Sequence, residues 1–386
     1  MSIDNLLIKR LSYLEKIDIE TEKNRKKMRL SIPNVSGWEI SKEYRNIMLS
    51  SFDYSQYADY NPIDYVYSYN MPPKQQRTLI YKLGGNEKNA LLLTPNNTIS
   101  LTNVVNFISH FCNKNIGLLL PCYFTLPNLL NTWKLPYTNL AMLRTETGYC
   151  LPQEEIKRNK CQVLILTNPV FSTGEYLNQN DIDFLDSFLK DGNYIISDES
   201  LAAPGKELIR SLLKSPNFIG IYSPHKFIHF NSFKFSCIIY NEQLEDFFDQ
   251  WNDVYSGSLN ITNLQAVEHY LSTNYQKILE KFYTFTNSKR LELLDMISHY
   301  QQFETDENSL GDFQSIYHKS LPYELGNSLS FIKNVIKNTK SVFYPGSLHG
   351  FQKEHGFVFR VNLCSYTTEV SNSLLKIFDY LSNYQI

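Results

Sequence analysis

The chain has 386 residues, with 42% hydrophobic and 20% charged residues and a formal net charge of -2. That length supports one large domain and a smaller one, each with its own core, and the composition is that of a folded chain. The near-neutral balance gives no electrostatic case for nucleic acid or an anionic membrane, and the longest apolar stretch, around 116–130, is cut by Pro121 and Pro127 and is too short to span a bilayer.

The start, Met1 to Arg10, lacks the apolar run and small-residue cleavage site of a secretion signal, so a cytoplasmic location is expected. Leu6, Leu7, Leu11, Leu14 and Ile17 recur at helical spacing and predict an arm that docks by one face, closed by Pro33 and Gly37. Residues from Ser51 to Pro73 are rich in Tyr, Asn and Pro without periodicity and read as an irregular surface segment or subunit contact. From Ala90 onward, short apolar runs predict buried strands at Ala90–Thr94, Ile116–Pro121, Leu140–Arg144, Gln162–Asn168, Tyr194–Ser200, Phe218–Ser223 and Phe235–Tyr240. Helical patterns lie between most of them, as at Asp181 to Lys190 and Lys206 to Lys214. Strand–helix alternation of this length implies a mainly parallel sheet covered by helices on both faces. Beyond about residue 265 a long helix is expected over Leu264 to Thr273, continuing in pieces to Met296. A smaller α+β unit follows, with strands near Lys340–Tyr344 and Phe357–Leu363 and a last helix from Glu369. The six cysteines are scattered, with no Cys-x-x-Cys and no Cys/His cluster, so neither a metal site nor a disulfide framework is indicated.

Open α/β sheets bind ligands at the carboxyl ends of their strands. Three runs end there in polar groups: Asn168 after one, Asp198 in the next, and Ser223 with Lys226 three residues on. An amide, a carboxylate and an amine would then share one crevice. Taken singly they are ordinary, since an Asp at a strand end is usually a cap and a loop Lys is usually solvated. Together they meet the needs of pyridoxal phosphate. That cofactor requires an amine to hold its aldehyde, a carboxylate to keep its ring nitrogen protonated, a donor near its O3′ and an anion site for its phosphate.

Here the sequence resembles the class I/II aminotransferases, fold-type I pyridoxal-phosphate enzymes, over roughly residues 60 to 386. Asn168-Pro169-Val170-Phe171-Ser172-Thr173-Gly174 is similar to the family's N-P-x-x-P-T-G turn, with Ser172 where Pro is usual. Asp198-Glu199-Ser200-Leu201 resembles its D-E-x-Y segment, Ser223-Pro224-His225-Lys226 its S-x-x-K motif, and Tyr344-Pro345-Gly346-Ser347 its P-G-S turn. The resemblance implies a Schiff base on Lys226, Asp198 at the ring nitrogen and Asn168 at O3′. It places Ser223 among the cofactor contacts and Arg360 on the substrate α-carboxylate, a role that suits a bidentate guanidinium. It further implies a phosphate cradle at Asn96-Asn97-Thr98, between a strand and a helix, with Asn96 replacing a glycine as a residue able to turn left-handed. A plain helix cap is the alternative there. Tyr123 would stack on the ring, or else be a core tyrosine. Tyr60 or Tyr69 would reach a neighbouring subunit's phosphate.

Two positions depart from the pattern. Leu201 stands where the family has a tyrosine sharing O3′, and Lys234 stands where it has the arginine that clamps the phosphate, so the clamp becomes a point charge. These two features resemble the pyridoxal-phosphate arginine oxidases and hydroxylases, and the His225-Lys226 pair resembles the related decarboxylases. The expected fold is α/β, a large domain with a mainly parallel mixed sheet (46–262) and a small α+β domain from 1–45 and 263–386. The expected function is an aminotransferase acting on an amino acid and an oxo acid, as a homodimer without nucleic acid or membrane. The alternatives are an oxidase, hydroxylase, cyclase or decarboxylase on the same fold, in the biosynthesis of a non-proteinogenic amino acid.

Overall fold

A computed structural model describes residues 33–36, 41–49, 73–111, 114–203, 206–227, 234–255, 259, 261–272 and 275–384. The expected N-terminal helix at Leu6 to Ile17, the segment from Ser51 up to residue 72 with Tyr60 and Tyr69, and Cys112 lie outside the described residues.

The strands in chain order are β1 Asn89–Thr94, β2 Ile116–Leu120, β3 Tyr137–Ala141, β4 Leu143–Thr145, β5 Gly148–Cys150, β6 Val163–Thr167, β7 Tyr194–Glu199, β8 Phe218–Tyr222, β9 Ser236–Asn241, β10 Phe303–Thr305, β11 Phe313–His318 and β12 Phe357–Asn362. Seven of them form one sheet in the order β1-β9-β8-β7-β6-β2-β3. Only β9 runs against the rest, pairing antiparallel with β1 and β8, while β8, β7, β6, β2 and β3 pair in parallel. The apolar runs split their side chains between the two faces at the period of two that a pleated strand imposes. Leu91, Leu93, Leu164, Leu166 and Ile195 enter one core, and Ala90, Leu92, Val163, Ile165 and Ile196 enter the other. The helix Asn97–Phe111 covers the second face through Leu101, Val104, Val105 and Ile108.

A third core belongs to the C-terminal part. The antiparallel sheet β10-β11-β12 packs with the helices Leu329–Thr339 and Thr368–Ser382 around Ile316, Val335, Phe343, Phe359, Leu374 and Phe378. The helix Tyr275–Ser298 serves two cores, the first through Ile278, Phe282 and Phe285 and the third through Leu293, Met296 and Ile297.

Several expected elements differ. The run Leu140–Arg144 is not one strand. It breaks at Met142, whose N–H turns back to the Leu120 carbonyl at 2.9 Å, and β4 then leaves the sheet to pair with β5. The helix expected over Lys206 to Lys214 is confined to Ile209–Leu212. The strand expected near Lys340–Tyr344 is replaced by two isolated bridges, Val342 to Asn34 and Pro345 to Phe359. The apolar Val342 and Phe343 are core residues there rather than part of a ladder.

Candidate active site

Parallel pairing aligns the carboxyl ends of the central strands. Thr167 pairs with Asp198 and Asp198 with Ile221, so the residues that follow β6, β7 and β8 open onto one place. A cavity of about 590 Å³ lies there, lined by Asn96, Asn97, Thr98, Ile99, Tyr123, Thr167, Phe171, Asp198, Ser200, Leu201, His225, Lys226 and Lys234.

Asp198 is buried and tied on both oxygens. Ser200 donates to Oδ1 from its backbone N–H at 3.1 Å and from its hydroxyl at 2.5 Å, and Asn97 Nδ2 donates to Oδ2 at 3.4 Å. Lys226 follows β8 on the short helix Pro224–Phe227. Burial lowers the pKa of its amine from the ordinary lysine value, against the opposing pull of Asp198. Its Nζ lies 5.4 Å from the centroid of the Tyr123 ring. An amine biased toward its neutral form can attack an aldehyde, and a free ammonium cannot.

The strand-to-helix turn after β1 borders the cavity. Asn96 caps the helix, its Oδ1 accepting from the Ile99 N–H at 3.1 Å, and Asn97 and Thr98 of the first turn line the cavity, which sets the positive end of the helix dipole beside it. Asn96 is absent from the positive-φ residues, so the left-handed turn expected of it is replaced by this cap. Lys234 lines the same end, exposed. Ser223 is turned away. Its hydroxyl meets Ser236 Oγ at 2.7 Å and Ser200 Oγ at 3.3 Å behind the wall, and it does not line the cavity.

Asn168 also stands outside the lining. Its Nδ2 donates to Glu199 Oε2 at 3.2 Å and to the Lys206 carbonyl at 3.3 Å, and Thr167 faces the cavity instead. Glu199, which the sequence reading passed over, is what holds that amide. Its own pKa is pushed up to about 8, chiefly by burial, with hydrogen bonds from Ser197 and Asn168 pulling it down. Asn97 Oδ1, Thr167 Oγ1 and Asn168 Oδ1 are buried and have no hydrogen-bond partner among the described residues. Three such atoms at one end of the sheet fit a site built around a polar ligand.

Arg360 projects from the middle of β12 and is buried. Its Nε donates to the Ser36 carbonyl at 3.1 Å and its Nη1 to Ser172 Oγ at 3.4 Å. The guanidinium carbon lies 4.4 Å from the Phe313 ring centroid, 5.8 Å from that of Tyr344 and 5.9 Å from that of Phe171, a cavity-lining ring. Burial lowers its pKa to about 10, with Tyr344 and Tyr123 acting the other way. Residue 172 has a φ of 68°. Proline cannot take that angle, which accounts for serine in a turn where the family pattern has proline.

The turn 168–174 is held by the C-terminal part of the chain. Ser309 Oγ donates to the Thr173 carbonyl at 2.8 Å, Ser315 Oγ donates to the Ser172 carbonyl at 2.9 Å, and the Leu310 and Gly311 N–H groups donate to the Gly174 carbonyl at 3.0 and 3.1 Å. Among the described residues no group of His, Cys, Asp or Glu side chains can hold a metal ion, and no helix is long and apolar enough to cross a membrane. The five described cysteines are free.

Solved structures resemble the whole architecture. An aspartate aminotransferase from Thermotoga maritima matches with a TM-score of 0.74 and 13% identity, over 96% of this chain and 99% of that one. Cystalysin from Treponema denticola, which contains pyridoxal 5'-phosphate, matches with a TM-score of 0.73 and 14% identity, over 91% of each chain. An alanine aminotransferase from Pyrococcus furiosus matches with a TM-score of 0.74 and 10% identity, over 95% of this chain and 96% of that one. Neither a protein-family model nor a curated protein sequence matches the chain. The chain therefore has the fold of the fold-type I pyridoxal-phosphate enzymes, a fold that carries both aminotransferases and carbon–sulfur lyases among these neighbours.

Proposed function

We propose that this chain is a pyridoxal-phosphate-dependent enzyme of amino acids and that its reaction is transamination between an amino acid and an oxo acid. One observation carries the reading: a desolvated amine (Lys226), a tied carboxylate (Asp198) and a helix N-terminus (Asn97, Thr98) converge on a single cavity of about 590 Å³. Lys226 is the covalent anchor for the cofactor, Asp198 the partner of its ring nitrogen, and Asn96–Thr98 with Lys234 the phosphate site. When bound, the cofactor supplies an electron sink for a carbanion at the substrate Cα.

The rest falls to the chain itself. Arg360 binds the α-carboxylate with its planar fork and so orients the Cα–H bond. The Lys226 amine takes the Cα proton and delivers it again as general acid. Asp198, fixed by Ser200 and Asn97, stays in place to hold a proton at the ring nitrogen. Tyr123 and Phe171 wall the cavity with apolar surface and exclude water. Tyr123 is the ring-stacking residue of this reading. A homodimer in the cytoplasm is the setting we assign it.

A second reading rests on the cavity wall near Thr167. Leu201 offers no hydrogen-bond donor, and the Asn168 amide is engaged by Glu199. A wall that offers the Thr167 hydroxyl in place of a phenol and a free amide favours another fate for the carbanion, such as oxidation, cyclisation or decarboxylation. The absorption spectrum of the purified protein with pyridoxal phosphate, before and after each amino acid in air, separates the readings. A visible band lost with one amino acid and restored by an oxo acid supports transamination. Loss accompanied by oxygen consumption supports the second reading, and absence of any new band with saturating cofactor overturns both.

A further inference from the structure

His349 lies in the short helix Gly346–His349, just after the bridge that ties Pro345 to Phe359, and is buried. Its Nδ1 is 3.1 Å from Ser172 Oγ, and its ring meets Phe171 edge to face with centroids 5.3 Å apart. The carbonyl of the same residue accepts from the Cys122 N–H at 3.0 Å, which ties it to the segment that carries Tyr123. His349 also lines a second cavity of about 460 Å³, with Leu120, Cys122, Phe124, Tyr137 and Gln352 among its walls. Tyr123 and Phe171, whose ring centroids are 6.0 Å apart, line the first cavity but not the second.

The donor inventory gives one arrangement in which the contacts of all three polar groups use both the serine oxygen and its proton. A guanidinium has no acceptor, so the contact between Arg360 Nη1 and Ser172 Oγ makes the serine oxygen the acceptor. The serine proton then remains to be given, and the polar atom on its other side is His349 Nδ1. That nitrogen must be unprotonated to receive it, which leaves the ring hydrogen on Nε2. Burial, and next to it the charge of Arg360, hold the imidazole pKa well below its usual value, in keeping with a neutral ring.

We propose that His349 and Ser172 are positioning residues for Arg360: the neutral imidazole accepts a hydrogen bond from the serine hydroxyl, the serine oxygen is thereby aimed at Nη1, and the guanidinium fork is held in the orientation that receives the substrate carboxylate. The proposal rests on the reading of Arg360 as the carboxylate site. It is specific to this chain's turn, because a proline at 172 would leave no hydroxyl to link the two.

The test has one readout that needs neither cofactor nor turnover. In the full-length protein labelled with 15N-histidine, His349 is assigned by its loss in His349→Gln. A neutral ring with its hydrogen on Nε2, unchanged between about pH 5 and 8 where a free histidine titrates, is the expected result. A hydrogen on Nδ1, or an imidazolium formed in that interval, overturns the proposal.

The second readout is binding of acetate, the smallest carboxylate probe, to wild type, Ser172→Ala, His349→Leu and His349→Gln. Loss of the linking hydrogen bond weakens acetate about three- to tenfold in Ser172→Ala and His349→Leu. His349→Gln, whose amide oxygen can accept the serine proton, retains most of the affinity. Equal affinity in all four overturns the positioning role. Failure of acetate to bind even wild type overturns the assignment of Arg360 itself, whatever tautomer His349 shows.

Discussion

The amine of Lys226 stands 5.4 Å from the centroid of the Tyr123 ring, so the amine and the aromatic wall come from segments about a hundred residues apart and meet across the carboxyl end of the sheet. The replacement Lys226→Ala removes the amine and leaves the wall. Its expected result is loss of covalent cofactor attachment, read as the absence of a borohydride-fixed adduct on the peptide containing residue 226. Amino-acid turnover falls by about 10²–10⁴-fold or more, since the general base goes with the anchor.

The lowered pKa of that amine has a direction that can be measured. Cofactor attachment needs the neutral form, so its rate rises with pH and reaches a plateau at a lower pH than a solvent-exposed lysine would show. Asp198 opposes the lowering, so Asp198→Asn moves the plateau lower still. Stopped-flow absorption across pH records both, and a plateau that moves upward in Asp198→Asn contradicts the geometry.

Glu175 is buried against Asp306 and Gly148, with Arg144 and Arg290 acting on it from the other side. Burial first, then Asp306, push its pKa from 4.5 up to about 7. A carboxyl raised on folding stabilises below its unfolded pKa, and that contribution is lost as pH rises through the folded value. Wild type therefore loses on the order of 2–3 kcal/mol from this group between about pH 4.5 and 7. Glu175→Gln removes the dependence, so urea midpoints of the two proteins agree near pH 4 and the variant is the more stable at pH 8.

Gly174 has a φ of 73°, and a Cβ there would lie 2.3 Å from Ser309 Oγ and 2.6 Å from the Phe313 carbonyl oxygen. Gly174→Ala is expected to destabilise by more than about 2 kcal/mol, since both the backbone angle and the space are refused. Thermal unfolding measures it.

Lys234 is exposed where it lines the cavity. Lys234→Ala is expected to weaken cofactor binding by up to about tenfold at low salt and by less at high salt, because an exposed point charge is screened. Lys234→Arg keeps the charge and the affinity. Fluorescence titration at two ionic strengths distinguishes this from a bidentate clamp.

The central sheet was legible because β2, β6 and β8 are buried on both faces and read as unbroken apolar runs. Asp198, Lys226, Tyr123 and the turn at Asn97 were legible for the same reason, since each follows or ends such a run and lines the cavity. What escaped depends on contacts distant in sequence. Strand β11 (Phe-Gln-Ser-Ile-Tyr-His) carries two adjacent polar residues that are buried, Gln314 on Arg290 and Ser315 on the Ser172 carbonyl, so its sequence lacks the unbroken apolar run of the other buried strands. The amide of Asn168 turned away because Glu199, next to Asp198 in the chain, sits on the other face of β7 and takes it. His349 carries no local signal. Only the folded chain brings it to Ser172, 177 positions away.

The bonds from Ser309, Gly311 and Ser315 to the turn at 172–174 make that turn a keyed joint between the sheet and the C-terminal part. The hook that carries Phe171 is threaded on the sheet yet bolted to the part that carries Arg360. One wall of the cavity and the buried guanidinium are thereby kept in register with each other, although the first is spelled out near residue 171 and the second near residue 360.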